Sequence, residues 1–597
     1  MIQKIKENLL RALTHPETAM AAKDAEELLQ QIESGKFTFL DYTNNNETVW
    51  FEHVKTIAHL AGNHDVRSTT ESVDILLKAV TVFLECSLTV KTTWYQQVGF
   101  PRYLARIYLL LEENLTATQK ETILSYVKNG SVSACTTLYQ DWIGTNLLWV
   151  LMNNIMYGII TNDFSAVPQG VQQVQKEFVC HENGEPGIQP LYGFIPYPNQ
   201  FYINESPYTF TNECAYLIFT LQGTDYQFEI PSLGVLGFYY VFGLRYEIRN
   251  QYCSYLTMGK NLATPDAMHT ESIRKAMWLF LNVEEMPCRD VMQEQFASLS
   301  YEMYSVKNDK YLPSTKSYIS RRVTSHISCH GTAPDLSIDK NNCLEDGISA
   351  NFYAGGATCI MTNGKEYENI FPLWDFAHIP GTTTTTKVHK AFNNVENTYC
   401  GGYCHNEVGA MYQDINFDEV TGVTARFFID GMMIALGANI SSQSDLPVNT
   451  TLNQCRHNDE VQQHENAYYH GNVVYASLDD NQIIVDTKEK TGNWSTLNAA
   501  INKEETAEIT TFYIDHGVAP KNATYAYAVL PAVAKGNAND ALQTLYKNIK
   551  ILQNDGNIQA IQYKNKVYCV FHKDDSLRLS RVDHYIGTAH TVHVFEN

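Results

Sequence analysis

Four segments carry side chains whose types and spacing could do chemistry. In YCGGYCH, Cys400 and Cys404 stand four positions apart and His405 follows, a set of thiol and imidazole donors. A structural zinc site needs four such ligands at a recognisable spacing. No second pair accompanies these, so no metal and no cofactor are expected. In CLEDG, Glu345 and Asp346 are adjacent. Two carboxylates hydrolyse a glycosidic bond only by standing on either side of it, which neighbours in sequence cannot do. In TFYIDHG, Asp515 precedes His516 at a strand end, where turn chemistry explains the pair better than catalysis does. The fourth segment is aromatic. YGFIPYPNQFYINESPYTF holds Tyr192, Phe194, Tyr197, Phe201, Tyr202, Tyr208 and Phe210. Rings at that density stack on sugars or pack against another subunit.

The composition narrows the classes. The chain has 597 residues, 43 Lys and Arg, 65 Asp and Glu, and a formal net charge of −22. That balance excludes nucleic acid as the main partner, because phosphate binding needs clustered cations. It also disfavours polyanionic sugars unless a local basic cleft overrides the total. No run of 18 apolar residues occurs, so no transmembrane helix is expected. The amphipathic start, MIQKIKENLLRALTHPE, lacks the unbroken apolar core of a signal peptide. The 13 cysteines are odd in number, so at least one thiol has no partner within the chain. Most read as small buried apolar side chains, with a minority in disulfides, including disulfides between chains.

The elements that position these residues change type along the chain. DILLKAVTVFLEC, PRYLARIYLLLEEN and TATQKETILSYVKNG read as amphipathic helices. NLLWVLMNNIMYGII, apolar on every side, reads as an inner helix, and SIRKAMWLFLNVEEM as the last long one. After about residue 290, short alternating runs separated by Gly, Asn and Asp turns predict antiparallel sheets packed as sandwiches. The expected fold is α+β and multidomain. An (α/α) toroid spans 1–285, a central β-sandwich 286–490 and a C-terminal β-sandwich 491–597.

Four β-region segments carry a family resemblance. They are WDFAHIPGTTT (Trp374 to Thr384), VTARFFIDGMMIALGANI (423–440), TGNWSTLN (491–498) and TFYIDHGVAPKNATYAYAVLP (511–531). Together they resemble polysaccharide lyase family 8, the hyaluronate, chondroitin AC and xanthan lyases. A viral branch, the baculovirus occlusion-derived envelope chondroitin lyases, shares this architecture. The resemblance implies a helical toroid followed by β-sandwiches, and β-elimination on uronate polymers. In that chemistry an Asn neutralises the uronate carboxylate, a Tyr or His takes the C5 proton, and the Tyr with an Arg protonates the leaving oxygen.

Carried over residue by residue, the segments align and the chemistry does not. In TLYQDWIG, Ile143 and Gly144 fit while the Asn position falls on Thr137, with Asn146 beyond the motif. In GIQPLYGFIPY the His position falls on Tyr197, and the Tyr position on Tyr208 after an insertion. In GKNLATPD the two arginines read Lys260 and Thr264; the Glu corresponds to Glu345. The expected function is a lyase-fold protein with a degenerate site, structural, assembly-forming or glycan-binding, of the kind found in a viral particle or occlusion body or outside the cell. The alternative is an active lyase on chondroitin or hyaluronan, rebuilt on Tyr208, Tyr197, Lys260 and Glu345. Trp142, Tyr192, Phe194 and Tyr202 are the expected carbohydrate contacts, and a uronate polysaccharide or further copies of the chain the expected partners.

Overall fold

The structure, a computed structural model, describes residues 1–20, 22–33, 46–86, 88–182, 184–196, 207–301, 306–336, 355–387, 396–499, 501–580 and 584–596. Tyr197, Tyr202 and Glu345 lie outside these residues, and the Lys260 side chain is not among the described side chains.

The N-terminal region is helical. Its helices are α1 (Ile2–Thr14), α2 (Ala22–Glu33), α3 (Glu47–Gly62), α4 (His64–Ser68), α5 (Thr70–Glu85), α6 (Phe100–Leu110) and α7 (Ala117–Asn129). There follow α8 (Leu138–Asp141), α9 (Gly144–Thr161), α10 (Val167–Gln175), α11 (Pro207–Leu221), α12 (Ile230–Phe242), α13 (Glu271–Leu281) and α14 (Arg289–Tyr301). Local sequence sets their ends. Thr116 accepts from the Gln119 amide, and the Gln119 side chain answers the Thr116 N–H, so a capping box starts α7. Pro101 sits in the first turn of α6, where its missing N–H costs nothing. The last helix differs from expectation: α14 follows SIRKAMWLFLNVEEM and buries Met292, Gln295 and Leu299 on one face. Its buried polar member hid the pattern. Gln295 is accommodated because its carbonyl accepts from the buried Tyr240 hydroxyl at 2.6 Å.

Packing sorts the helices into an inner and an outer set. α3 packs on α6, α6 on α9, α9 on α11 and α11 on α13, so these five line the toroid interior. α5, α7, α10 and α14 back them from outside. α9 is buried nearly all round, as an inner helix must be. Two buried asparagines, Asn153 and Asn154, interrupt its apolar surface, and Asn154 is satisfied by Val132 N, Gly130 O and Val150 O.

Antiparallel sheets form the rest. The first orders strands Asn308–Leu312, Ser317–Arg322, Ser325–His330 and Thr358–Met361. An eight-stranded sheet runs Cys400–His405, Val408–Phe417, Val420–Ile429, Met432–Ser442, Ala523–Pro531, Val473–Ser477, Ala467–His470, Gln462–His464. A third orders Ile484–Asn493, Glu504–Val518, Pro447–Arg456, Thr383–Thr385. One face of the large sheet packs on that third sheet through Met433, Tyr525, Val448 and Phe512. Its other face packs on helix α15 (Ala538–Asn548) and a C-terminal sheet that starts at Ile549. The molecule is therefore an α+β chain, an (α/α) toroid followed by β-sandwiches. The boundary expected at 490/491 falls inside strand Ile484–Asn493, and the strands Glu504–Val518 and Ala523–Pro531 pair into the central sheets. The 285/286 boundary leaves α14 on the β side, although α14 packs on α13. Among the described residues no helix is long and apolar enough to cross a membrane. The twelve described cysteines are all free thiols, where a minority of disulfides was expected. Burial lifts the Cys400 thiol to about 12 and Cys404 to about 11, so both are protonated at neutral pH.

The toroid joins the sheets through residues 247–258. Tyr255 is fully buried, donates to Thr358 O at 2.8 Å, and meets Trp374 edge-on at 5.1 Å. Ser254 and Ser328 share a hydrogen bond of 3.0 Å, and Arg249 donates to Thr362 O. Glu247 lies in this joint, 3.5 Å from the buried His326. Burial raises its carboxyl to about 7, against hydrogen bonds from Ser254 and Ser328 and the charge of Arg321. A raised carboxyl stabilises the fold fully below its unfolded value of 4.5, and that contribution is lost as pH rises towards 7. Glu247→Gln removes the titration. Between about pH 4 and pH 8, urea unfolding should show the variant gaining about 3 kcal/mol on the parent. A difference independent of pH would contradict this assignment.

Candidate functional site

The N-terminal ends of the inner helices share one rim, and an irregular turn shapes it. Residues Tyr95–Gly99 form a π-helical turn that runs directly into α6. Such a turn leaves carbonyls without helical partners. The buried Asn153 of α9 donates to two of them, Gln97 O at 3.3 Å and Val98 O at 3.2 Å. Gly99 closes the turn at the only spacing its neighbours permit: a Cβ there would lie 2.8 Å from Trp94 Cζ3 and 2.9 Å from Phe51 Cε2.

Three half-buried tryptophans stand on this rim. Trp94 Nε1 donates to Asn146 Oδ1 at 2.7 Å, and Trp142 Nε1 to Gln97 Oε1 at 3.2 Å. Trp149 meets Trp94 edge-on at 5.9 Å and carries the Arg102 guanidinium 4.7 Å from its ring centre. Because the Trp94 and Trp142 indole N–H groups each take the oxygen of a carboxamide, the two NH2 groups of Asn146 and Gln97 turn away from those indoles. The arrangement presents flat apolar faces beside amide donors, which is the chemistry that holds a sugar ring and its hydroxyls or carboxylate.

The positions aligned with lyase chemistry are arranged differently. Thr137 is exposed, and its hydroxyl donates to Asp141 Oδ2 at 2.8 Å. Tyr208 opens α11 and is buried, accepting from Thr257 Oγ1 at 3.1 Å. Burial first, then Cys253 and Glu247, pushes its phenol well above the ordinary value of 10. Lys260 lies in the short 3-10 segment Gly259–Ala263, and Thr264, which follows it, is exposed and uncharged.

The expected carbohydrate contacts divide. Trp142 stands on the rim. Tyr192 is half-buried in a surface cluster with Phe238 at 6.5 Å and Phe242 at 5.9 Å, apart from the tryptophans in contact. Phe194 is a core residue: it is 1% exposed, with Phe210 at 4.9 Å, and offers no face to a ligand. The aromatic density of that segment serves the toroid core as well as its surface, and sequence does not separate the two uses. Trp94, Trp149, Gln97 and Arg102 went unread. Trp149 hides in an apolar helical run, and the π turn gives Trp94 and Gln97 no periodicity to read. Asp266, His269 and Glu368 form the one described carboxylate–imidazole trio with ligand spacing. Its members already bond one another: His269 Nε2 meets Glu368 Oε1 at 2.8 Å and Tyr252 donates to the same oxygen at 3.0 Å. This is a polar clasp between toroid and sheets.

Residues 339–542 match the model of polysaccharide lyase family 8, super-sandwich domain. All four segments that carried the resemblance lie inside that span. The chain is 22% identical over 576 residues to chondroitinase-AC of Pedobacter heparinus, covering 90% of this chain and 79% of that one. A solved chondroitinase AC lyase superposes with a TM-score of 0.81 at 18% identity, covering 100% of this chain and 92% of the other. A baculovirus envelope protein described as a novel chondroitin lyase superposes with a TM-score of 0.50 at 10% identity, covering 93% and 92%. Residues 339–542 thus carry the family's super-sandwich domain, and the chain as a whole is similar in sequence to chondroitinase-AC and shares the fold of chondroitinase AC lyase.

Gly99→Ala tests the construction of the rim. Its methyl must displace Trp94 or Phe51, and overpacking of this kind costs about 1–3 kcal/mol. Chemical unfolding should show that loss; unchanged stability would mean that the π turn does not fix the tryptophans.

Proposed function

We propose that this protein binds a uronate-bearing polysaccharide along the tryptophan rim of the toroid and does not cleave it. The observation that carries the reading is the Thr137–Asp141 hydrogen bond of 2.8 Å. β-Elimination starts by neutralising the uronate carboxylate, which makes the C5 proton acidic. A hydroxyl already donating to a carboxylate cannot supply that neutralisation, and Asp141 repels the group to be held. Thr264 adds no positive charge near the leaving oxygen. The buried Tyr208 phenol holds its proton too tightly to act as the base. Loss of one transition-state donor typically costs about a hundredfold in rate, and losses within one catalytic unit remove its function together.

Binding survives the same inventory. Trp94, Trp142 and Trp149 offer ring faces, and Gln97 and Asn146 offer amide donors. The polymer class is suggested by the chondroitinase relative. We place the protein outside the cell or in a viral particle; the fold shared with a baculovirus envelope protein supports that setting.

Titration calorimetry with size-defined chondroitin and hyaluronan fragments tests the proposal. The intact chain should bind at least one of them, and Trp142→Ala and Trp149→Ala should each weaken binding roughly tenfold, about 1.4 kcal/mol. Fragments recovered afterwards should keep their length. No binding to either polymer would overturn the proposal. So would fragment shortening that disappears in Tyr208→Phe, the result expected of a lyase working through that phenol.

A further inference from the structure

We infer that the toroid lumen, behind the tryptophan rim, is a binding site for a single oxyanion held by Arg106. The inference stands apart from the polysaccharide reading and needs no saccharide. Arg106 lies on α6, one turn beyond Arg102 on the same face. It is 6% exposed, its Nε is buried with no hydrogen-bond partner, and its guanidinium makes no hydrogen bond to any described residue. It lies 5.4 Å from the Tyr103 ring centre and 5.8 Å from that of Tyr216.

The neighbouring cations are accounted for differently. Arg102 Nη2 donates to Glu213 Oε1 at 2.5 Å. Lys55 is paired with Glu52 at 2.9 Å, and Lys275 with Glu271 at 2.6 Å. Each of these three is bonded to a carboxylate; Arg106 bonds none and feels only the charge of Glu213, which Arg102 already holds. A buried guanidinium with no hydrogen-bonded carboxylate is costly, and arginine does not escape the cost by losing its proton. Something negative completes the arrangement.

The other groups at that point fit the same role. His59 on α3 meets the Tyr103 ring edge-on at 5.6 Å, and neither of its nitrogens bonds a described residue. Four cations, Lys55, Arg106, Lys275 and Arg102, act on this one imidazole from three helices, so their fields converge where it stands. The hydroxyls of Tyr103 and Tyr216 also make no hydrogen bond to a described residue, leaving two donors beside the guanidinium. Lys55, which acts with Tyr103 and Arg102, keeps 34% of its side chain exposed. A planar guanidinium with imidazole and phenol donors around it recognises sulfate, phosphate or a carboxylate.

The test uses the full chain with inorganic sulfate, inorganic phosphate and glucuronate in separate calorimetric titrations. At least one should bind with a stoichiometry of one, and should raise the melting temperature. Arg106→Gln should weaken that binding at least tenfold and abolish the thermal shift. Arg106→Lys, which keeps the charge and loses the fork, should retain part of both. Without ligand, Arg106→Gln should melt no lower than the parent, because it removes an unpaired buried charge; this separates lost binding from lost folding. Arg11→Gln, at a cation on α1 that lies over Phe219 and Trp278, should bind as the parent does. Tighter binding of glucuronate than of the inorganic ions would assign the site to the acid group of a sugar, and the reverse order to a free ion. Absence of binding by all three probes, or equal binding by Arg106→Gln, would overturn the inference.

Discussion

The aromatic joint between Tyr255 and Trp374 decides where the helices sit against the sheets, and the rest of the molecule depends on that placement. Tyr255 comes from the toroid and Trp374 from the β region; their rings meet edge-on at 5.1 Å, with Tyr367 and Phe371 packed around them. Both side chains are buried, and the Tyr255 hydroxyl spends its proton on a strand carbonyl. A joint of this kind is rigid because removing either ring opens a cavity and strands a polar group. Around it the polar contacts of Ser254, Arg249 and Glu368 fix the azimuth of one body against the other.

What the joint preserves and what the helices present have different chemical requirements. An architecture needs ring packing and satisfied carbonyls, and these are intact. A β-elimination site needs an amide and a cation aimed at a negative substrate, and a phenol that can release its proton. The residues that the family resemblance sets against those roles are Thr137, bound to Asp141, the uncharged Thr264 and the buried Tyr208. Lys55, Arg102, Arg106 and Lys275 all act on His59 from the inner helices, three of them paired with a carboxylate. Fold and activity are separable because packing and charge placement are separate constraints.

The legible parts of the sequence were those governed by local periodicity and caps. α5, α7 and α9 follow their apolar spacing and their Thr and Gly ends. The strands Val420–Ile429 and Met432–Ser442 pair as their motif implied, with Phe428 opposite Met433. The domain edge near 490 was not legible, because Glu504–Val518 and Ala523–Pro531 return to sheets begun far earlier in the chain. At the site, Trp142 was readable from a motif. Trp94 and Gln97 were not, because a π turn has no repeating pattern. The lumen cations come from α3, α6 and α13, separated by up to some two hundred residues, and only the closing of the helices brings them together. Phe194 and Tyr208 were chosen for their chemistry, and burial, which a sequence window does not reveal, assigns them to the interior.

The most direct measurement of the central claim is ultraviolet absorbance of unsaturated uronate. Purified protein would be incubated with chondroitin, hyaluronan, heparan, alginate and xanthan, with an authentic lyase active in parallel. The account predicts no rise above the protein-free control on any polymer. A rise that tracks protein concentration would contradict it, and would require the Thr137–Asp141 pair to open and the Tyr208 phenol to reach substrate.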